Sequence, residues 1–150
     1  MSKRSTSSAA NYLRHHAVTG PSASALVEFY GHFGFTELVA QEVPLQSYIQ
    51  ALSGGAWESA LIVKLRNPNG DTLEIIEPVG TAGRSVEVDS AGWSHLAFTV
   101  YNCDESVRYL LGRGGVLVGG PATNPDAPFR VAYIRDPALN LIELVEALDG

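Results

Sequence analysis

The pattern of apolar and polar positions divides the chain into two halves that predict the same order of elements. Apolar residues that recur every three or four positions predict a helix, and alternating or short apolar runs between turn residues predict strands. In the first half this gives a strand at 13–19, a helix at 25–33 and strands at 35–43, 60–65 and 72–76. In the second half it gives a strand at 94–100, a helix from 102 or 104 to about 113, and strands at 116–118, 129–135 and 141–145. Each half therefore predicts the order strand, helix, strand, strand, strand.

The two halves also resemble each other residue by residue, which indicates an internal repeat. The segment HHAVT at 15–19 aligns with HLAFT at 95–99, LRNP at 65–68 with IRDP at 134–137, and LEIIE at 73–77 with IELVE at 142–146. We therefore expect one domain at 12–147, with module one at 12–80, a linker at 81–92 and module two at 93–147. Residues 1–11 are polar and predict a disordered tail, and residues 45–53 predict a short helix or an irregular loop.

Composition and charge exclude several classes of function. The 150 residues are 45% hydrophobic and 17% charged, which suits a globular protein with a substantial core. The formal net charge is −6 and the basic residues are scattered, so nucleic-acid binding is not expected. No apolar run approaches the roughly 20 residues of a membrane span, and no secretory signal is recognisable, so the expected compartment is the cytoplasm. Cys103 is the single cysteine and is expected to be a small core or helix-start residue.

A histidine and a glutamate recur at equivalent positions of the two halves. His15 and His95 begin the equivalent faces of their strands, because side chains alternate between faces, and this register favours His15 over its neighbour His16. Glu74 and Glu143 lie in mid-strand, where a carboxylate is unfavourable unless it is paired, hydrogen-bonded or bound to a metal. Two imidazoles and two carboxylates form a pseudo-twofold set of N/O ligands that suits Zn, Fe, Ni, Co or Mn. The repeat therefore predicts one shared site for a divalent metal ion.

Three local motifs resemble those of the vicinal oxygen chelate superfamily, which includes glyoxalase I, methylmalonyl-CoA epimerase, fosfomycin resistance proteins, extradiol dioxygenases and bleomycin-binding proteins. Residues 13–17 (LRHHA) resemble an opening strand L-x-H-x-A, and residues 29–35 (FYGHFGF) resemble F-Y-x-x-x-x-G-F shortened by one residue. Residues 136–144 (DPALNLIEL) resemble the closing hairpin D-P-x-G-N-x-I-E-L, with Leu139 in place of the glycine. We therefore expect the last turn to differ from that of the family.

The resemblance implies an α+β fold of two tandem βαβββ modules, forming a cupped mixed sheet around the metal with the helices outside. It implies the ligands His15, Glu74, His95 and Glu143, and it implies a homodimer that binds a small molecule. The metal would act as a Lewis acid toward a carbonyl substrate with two adjacent oxygens, and either Glu74 or Glu143 would move the proton.

Three functions remain open on the sequence. The first is an isomerase or lyase of the glyoxalase and epimerase type. The second is a ring-cleaving dioxygenase with the triad His15, His95 and Glu143, in which Glu74 would be an unwanted fourth ligand. The third is a protein that sequesters a natural product or antibiotic without catalysis.

Further side chains are candidates for substrate contact or for the opposite strand face. Tyr133 and Lys64 hold equivalent places on the third strands and are predicted to face the ligand side. Four more candidates lie in or next to loops that could rim the cavity: Arg130, Tyr48, Trp57 and Trp93. Glu77 and Glu146 fall on the face opposite Glu74 and Glu143, and they are predicted to be solvated strand ends.

Overall fold

In the computed structural model of this chain, residues 13–43, 56–79 and 95–149 are described. The first half contains β1 (His16–Thr19), α1 (Ala23–Gly31), β2 (Thr36–Val43), β3 (Ser59–Arg66) and β4 (Thr72–Val79). The second half contains β5 (His95–Thr99), α2 (Cys103–Leu111), β6 (Val116–Thr123), β7 (Phe129–Arg135) and β8 (Leu141–Ala147). The predicted tail at 1–11, the linker at 81–92 and the segment at 45–53 lie outside the described residues. No helix in the described ranges is long and apolar enough to span a membrane.

The strands form two four-stranded mixed sheets with the same topology. Their orders are β1-β4-β3-β2 and β5-β8-β7-β6. The first strand of each half runs parallel to the last, and the other neighbours are antiparallel. The prediction of an α+β fold with two tandem modules is confirmed, although the strands form two separate sheets rather than one.

Strand β6 is longer than the sequence pattern indicates. It was predicted to end at residue 118, but it continues to Thr123 through Gly119, Gly120 and Pro121. Two register shifts against β7 accommodate these residues. Gly120 has φ +84°, and a Cβ there would lie 2.6 Å from the carbonyl oxygen of Val131. The two glycines and the proline therefore interrupt the ladder without ending the strand.

One apolar cluster joins the two halves. Each helix packs against its own sheet, and most of the buried apolar side chains of both halves belong to a single cluster. Phe33, in the turn after α1, and Phe98 of β5 form the closest aromatic contact between the halves within the described residues, with ring centroids 4.2 Å apart. The two modules therefore share a core instead of folding around two separate ones.

Glutamates at the ends of β4 and β8 bind the N-termini of the helices, so the prediction that they are solvated strand ends was wrong. Glu77 Oε2 accepts a hydrogen bond from the backbone N–H of Ala23 at 2.6 Å. Glu146 Oε2 accepts one from the backbone N–H of Cys103 at 2.8 Å. The first N–H groups of a helix lack intrahelical partners and carry partial positive charge, which a carboxylate satisfies. These contacts place each helix on the face opposite Glu74 or Glu143.

The carboxylate of Asp136 is fully buried and holds the turn between β7 and β8 against α1. Its Oδ2 accepts hydrogen bonds from the Tyr30 hydroxyl at 2.7 Å and from the side-chain amide of Asn140 at 2.8 Å. Its Oδ1 accepts bonds from the backbone N–H groups of Ala138 at 2.8 Å and Asn140 at 2.9 Å. Four donors therefore compensate the burial of this charge, and one of them comes from the other half of the chain.

The Tyr30 hydroxyl makes the protein sensitive to alkaline pH. Burial raises the pKa of Tyr30 well above its ordinary value of 10.0, and the Asp136 carboxylate raises it further. Below pH 10 the hydroxyl is protonated in both the folded and the unfolded chain, so its contribution to stability is fully present. As the pH rises above 10, only the unfolded chain loses this proton, and stability falls.

We expect the Tyr30→Phe variant to lose less stability than wild type between about pH 9 and about pH 11, as measured by urea denaturation. The Tyr101→Phe variant is the control, because the Tyr101 side chain is fully exposed. The free energy of unfolding of this control should fall with rising pH as it does in wild type. An unchanged decline in the Tyr30→Phe variant would contradict the prediction.

The turn around Leu139 has the same backbone form as its counterpart at Gly70, and the expectation that it differs from the turn of the family stays a prediction. Leu139 takes the left-handed conformation with φ +68°, and Gly70 at the equivalent position has φ +88°. In both turns the first side chain accepts a bond from a backbone N–H four residues later, Asn67 from Asp71 and Asp136 from Asn140, each at 2.9 Å. The side-chain hydrogen bonds hold the turn shape, and Leu139 is strained within it.

We expect Leu139→Gly to raise the free energy of unfolding by about 0.5–1 kcal/mol, because relief of the left-handed strain exceeds the entropy that glycine adds to the unfolded chain. Gly70→Ala at the equivalent position is the reciprocal test and should lower it by about 1 kcal/mol. Urea denaturation of both variants measures the effect. A destabilised Leu139→Gly variant would show that side-chain contacts of Leu139 outweigh its backbone strain.

Candidate functional site

Each half brings its histidine and glutamate together. His15 directly precedes β1, which runs parallel to β4 with Ala17 opposite Glu74. His15 Nε2 lies 3.8 Å from Glu74 Oε2. His16 is exposed, and the contact with the glutamate belongs to His15.

The second half repeats this arrangement with a shorter distance between histidine and glutamate. His95 is the first residue of β5, and Ala97 stands opposite Glu143 of β8. His95 Nε2 lies 3.0 Å from Glu143 Oε2, within hydrogen-bond distance. The side chains of His95 and Glu143 keep about a quarter of their surface accessible, at 26% and 23%. Both pairs are therefore half-buried and open to a ligand.

Both pairs lie on the sheet faces that point away from the shared core. Glu74 lies between Leu73 and Ile75, and Glu143 lies between two equally buried residues. Because neighbouring residues of a strand point to opposite faces, each glutamate occupies the outer face of its sheet. We call these surfaces the outer faces of sheets one and two.

The four expected ligands form two pairs rather than one cluster. Within the described residues, no three His, Cys, Asp or Glu side chains are grouped closely enough to hold a metal ion. The donor types suit a divalent metal, but a single pair supplies only two ligands. In the described part of the chain, each pair by itself is therefore an incomplete ligand set.

Lys64 and Tyr133 stand beside the two glutamates. In the strand register Lys64 is opposite Glu74, and Tyr133 is opposite Glu143. The ring of Tyr133 also contacts the ring of His95, with centroids 5.3 Å apart. Both side chains therefore belong to the outer faces, next to the His–Glu pairs.

Arg130 lies on the other side of its sheet, and the structure does not place it near the His–Glu pairs. Its guanidinium forms an ion pair with Asp104 of α2, with Nη2–Oδ1 at 2.9 Å, and donates to Thr123 Oγ1 at 3.0 Å. The hydrogen bond from Arg130 lowers the pKa of Asp104, and the carboxylate raises the pKa of Arg130. Sequence reasoning expected Arg130 to rim the cavity from next to a loop, but Arg130 is the second residue of β7 and lies on the strand face toward α2.

Of the other predicted rim residues, only Trp57 lies within the described part of the chain. Trp57 packs against the small apolar cluster formed by Ala60 and Ile76. Tyr48 and Trp93 lie outside the described residues. Cys103 is buried as the first residue of α2, and burial raises the pKa of its thiol.

A large groove runs between the two halves. Its volume is about 1540 Å³, and it is lined by residues of β1 and β5, His95 among them, and by His15 just before β1. Glu74 and Glu143 are not among its lining residues. The groove therefore follows the open edges of the two sheets, and the carboxylates lie on the adjoining outer faces.

Comparisons with known proteins agree with this architecture. The sequence model of the Glyoxalase/Bleomycin resistance protein/Dioxygenase superfamily matches residues 12–144. A search of curated proteins gives no significant match. A glyoxalase family protein from Bacillus cereus is 22% identical, with a TM-score of 0.80, over 97% of this chain and 99% of that chain.

Structures of glyoxalase I are also among the matches. The trypanothione-dependent enzyme of Leishmania major is 18% identical, with a TM-score of 0.63, over 92% of this chain and 88% of that chain. The enzyme of Zea mays is 15% identical, with a TM-score of 0.65, over 89% of this chain and 46% of that chain. Similarity at this level of identity shows a common fold and does not transfer an activity.

Proposed function

This chain belongs to the Glyoxalase/Bleomycin resistance protein/Dioxygenase superfamily, and we propose that it is a metal-dependent isomerase or lyase of the glyoxalase and epimerase type. Its substrate would be a small carbonyl compound with two adjacent oxygens. The observation that carries the proposal is the pair of His–Glu contacts at equivalent register positions of the two sheets.

The proposed ligands are His15, Glu74, His95 and Glu143. A divalent ion of Zn, Ni, Co, Mn or Fe bound by this set would supply Lewis-acid polarisation of the substrate oxygens. The histidines would hold their positions at the starts of β1 and β5. One of the glutamates would take the proton next to the carbonyl and return it to the neighbouring carbon, with its carboxylate oxygen as the base.

We propose that two copies of the chain complete each site. The inner faces of both sheets are covered by the helices and the shared core, so the His–Glu pairs of one chain point outward. A twofold arrangement would let sheet one of one copy face sheet two of the other, and it would form two equivalent four-ligand sites. A homodimer is therefore part of the proposed function.

Metal analysis and a proton-exchange assay test the proposed activity. The protein is purified without chelators, its metal content is measured, and Zn, Ni and Co are added back after removal of metal. Incubation with the hemithioacetal of methylglyoxal and a small thiol in D₂O should show metal-dependent exchange of the proton next to the carbonyl. The Glu74→Gln and Glu143→Gln variants should reduce the exchange.

Two other outcomes would overturn the proposal. Iron-dependent oxygen uptake with catechols, and no proton exchange, would indicate a dioxygenase. Failure to bind metal, with His15→Ala and Glu143→Ala variants indistinguishable from wild type in ligand binding, would indicate a protein that binds small molecules without catalysis.

A further inference from the structure

We propose that Lys64 makes the site selective for substrates that carry a separate anionic group, such as a carboxylate. The inference rests on the proposed metal site and adds the chemical class of its substrate. It comes from a difference between the two outer faces, which are otherwise built alike.

The outer face of sheet one presents a row of four residues at the level of the His–Glu pair. The strand register places Ala17, Glu74, Lys64 and Val39 side by side across β1, β4, β3 and β2. Glu74 contacts His15 at one end of this row. A cation therefore stands directly beside a proposed metal ligand.

The outer face of sheet two presents the equivalent row. Here the register places Ala97, Glu143, Tyr133 and Gly119 side by side across β5, β8, β7 and β6. Alanine and glutamate occupy the first two places of both rows, but the third place is Lys64 in one and Tyr133 in the other. The ligand set has pseudo-twofold symmetry, and the residues next to it do not.

The ammonium group of Lys64 has no counter-ion in the described part of the chain. Its side chain is half-buried, and it forms neither an ion pair within 4.0 Å nor a hydrogen bond with another described residue, Glu74 included. Its other neighbour in the row, Val39, is apolar and 49% exposed. A partly desolvated cation beside an apolar surface favours an incoming anion, because the anion restores the interaction that water has lost.

This asymmetry would orient the substrate. With four symmetric ligands alone, a small chelating substrate could bind in two equivalent directions. Lys64 on one side favours the anionic end, and the Tyr133 hydroxyl on the other side can donate a hydrogen bond to a neutral or developing oxygen. A fixed direction presents one face of the reacting carbon to the glutamate base.

Paired hydroxamates test the inference on the zinc-loaded protein. Acetohydroxamic acid provides two adjacent oxygens without a second charge, and the monohydroxamates of malonic and succinic acid add a carboxylate to the same chelating head. At low salt we expect at least one carboxylated probe to bind about 5- to 10-fold more tightly than acetohydroxamic acid, as measured by calorimetry.

The variants separate Lys64 from general electrostatics. Lys64→Met should abolish the preference while acetohydroxamic acid binds as in wild type, and Lys64→Arg should retain it. Arg66→Met is the matched control, since Arg66 is on the same face of β3 two residues away but exposed at the strand end. It should keep the preference. If Lys64→Met does not fold, Lys64→Gln replaces it.

Equal affinities for charged and uncharged probes in wild type would overturn the inference and leave the proposed metal site intact. A preference for the carboxylated probes that persists in Lys64→Met would also overturn the inference and leave the proposed metal site intact. If no hydroxamate binds the zinc-loaded protein, the proposed metal function itself fails, and the inference fails with it.

Discussion

Replacing Asp136 with alanine should lower the free energy of unfolding by about 3–5 kcal/mol. The carboxylate is fully buried and accepts hydrogen bonds from the Tyr30 hydroxyl, the Asn140 amide and two backbone N–H groups. Its removal leaves these donors without their partner in the core and breaks the polar contact between α1 and the turn of the second module. Urea denaturation followed by circular dichroism measures the loss.

The matched control is Asn67→Ala at the equivalent turn of the first half. Asn67 accepts a bond from the backbone N–H of Asp71 and donates to its carboxylate, but both bonds are exposed. We expect a cost of about 1 kcal/mol or less there. Adding Tyr30→Phe to Asp136→Ala should recover part of the lost free energy of unfolding, because it removes a buried hydroxyl that has lost its acceptor. If Asp136→Ala lowers the free energy of unfolding no more than Asn67→Ala does, the prediction is wrong.

Two variants that each lack half of the proposed metal ligands should regain metal sites when they are mixed, if the outer faces of two copies meet. One variant lacks the ligands of sheet one (His15→Ala with Glu74→Ala), and the other lacks those of sheet two (His95→Ala with Glu143→Ala). In either variant alone, every site keeps only two ligands. Its zinc affinity should therefore fall at least about 100-fold, which exceeds the loss expected from mutating a residue that only hydrogen-bonds a ligand. Random exchange of chains should then produce intact sites at about a quarter of the wild-type number.

The control mixture pairs two variants altered in the same sheet, such as His15→Ala with Glu74→Ala on separate chains. No exchange of chains can then assemble a complete four-ligand site, so high-affinity zinc binding should not return. Calorimetry and metal analysis after gel filtration measure both mixtures. Failure of the first mixture to recover sites, with chain exchange verified by mass spectrometry, would refute sharing between copies.

The element order and the ligand pairs could be read from the sequence because both depend on local periodicity. Alternation along a strand fixes which residues share a face, and the repeat fixes the register of one half against the other. The pairs His15–Glu74 and His95–Glu143, and the places of Lys64 and Tyr133 beside them, follow from these two facts. The structure has the same pairs and the same register.

Other features depended on contacts between distant segments. The binding of Glu77 and Glu146 to helix N-termini required knowing which residues each helix lies above. The ion pair of Arg130 with Asp104 required knowing that α2 lies over this face of β7. Alternation separates two faces of a strand, but it does not say what covers either face.

The repeated histidine and glutamate were thus determined by the sequence, together with the fold class and the strand faces they occupy. Only the tertiary structure decided that the two pairs point away from a shared core instead of meeting within the described part of one chain. The physical reason is that burial is a property of the whole fold. Tyr30, Phe33 and Phe98 pack the inner sides of both modules together, and the His–Glu pairs lie on the opposite sheet faces.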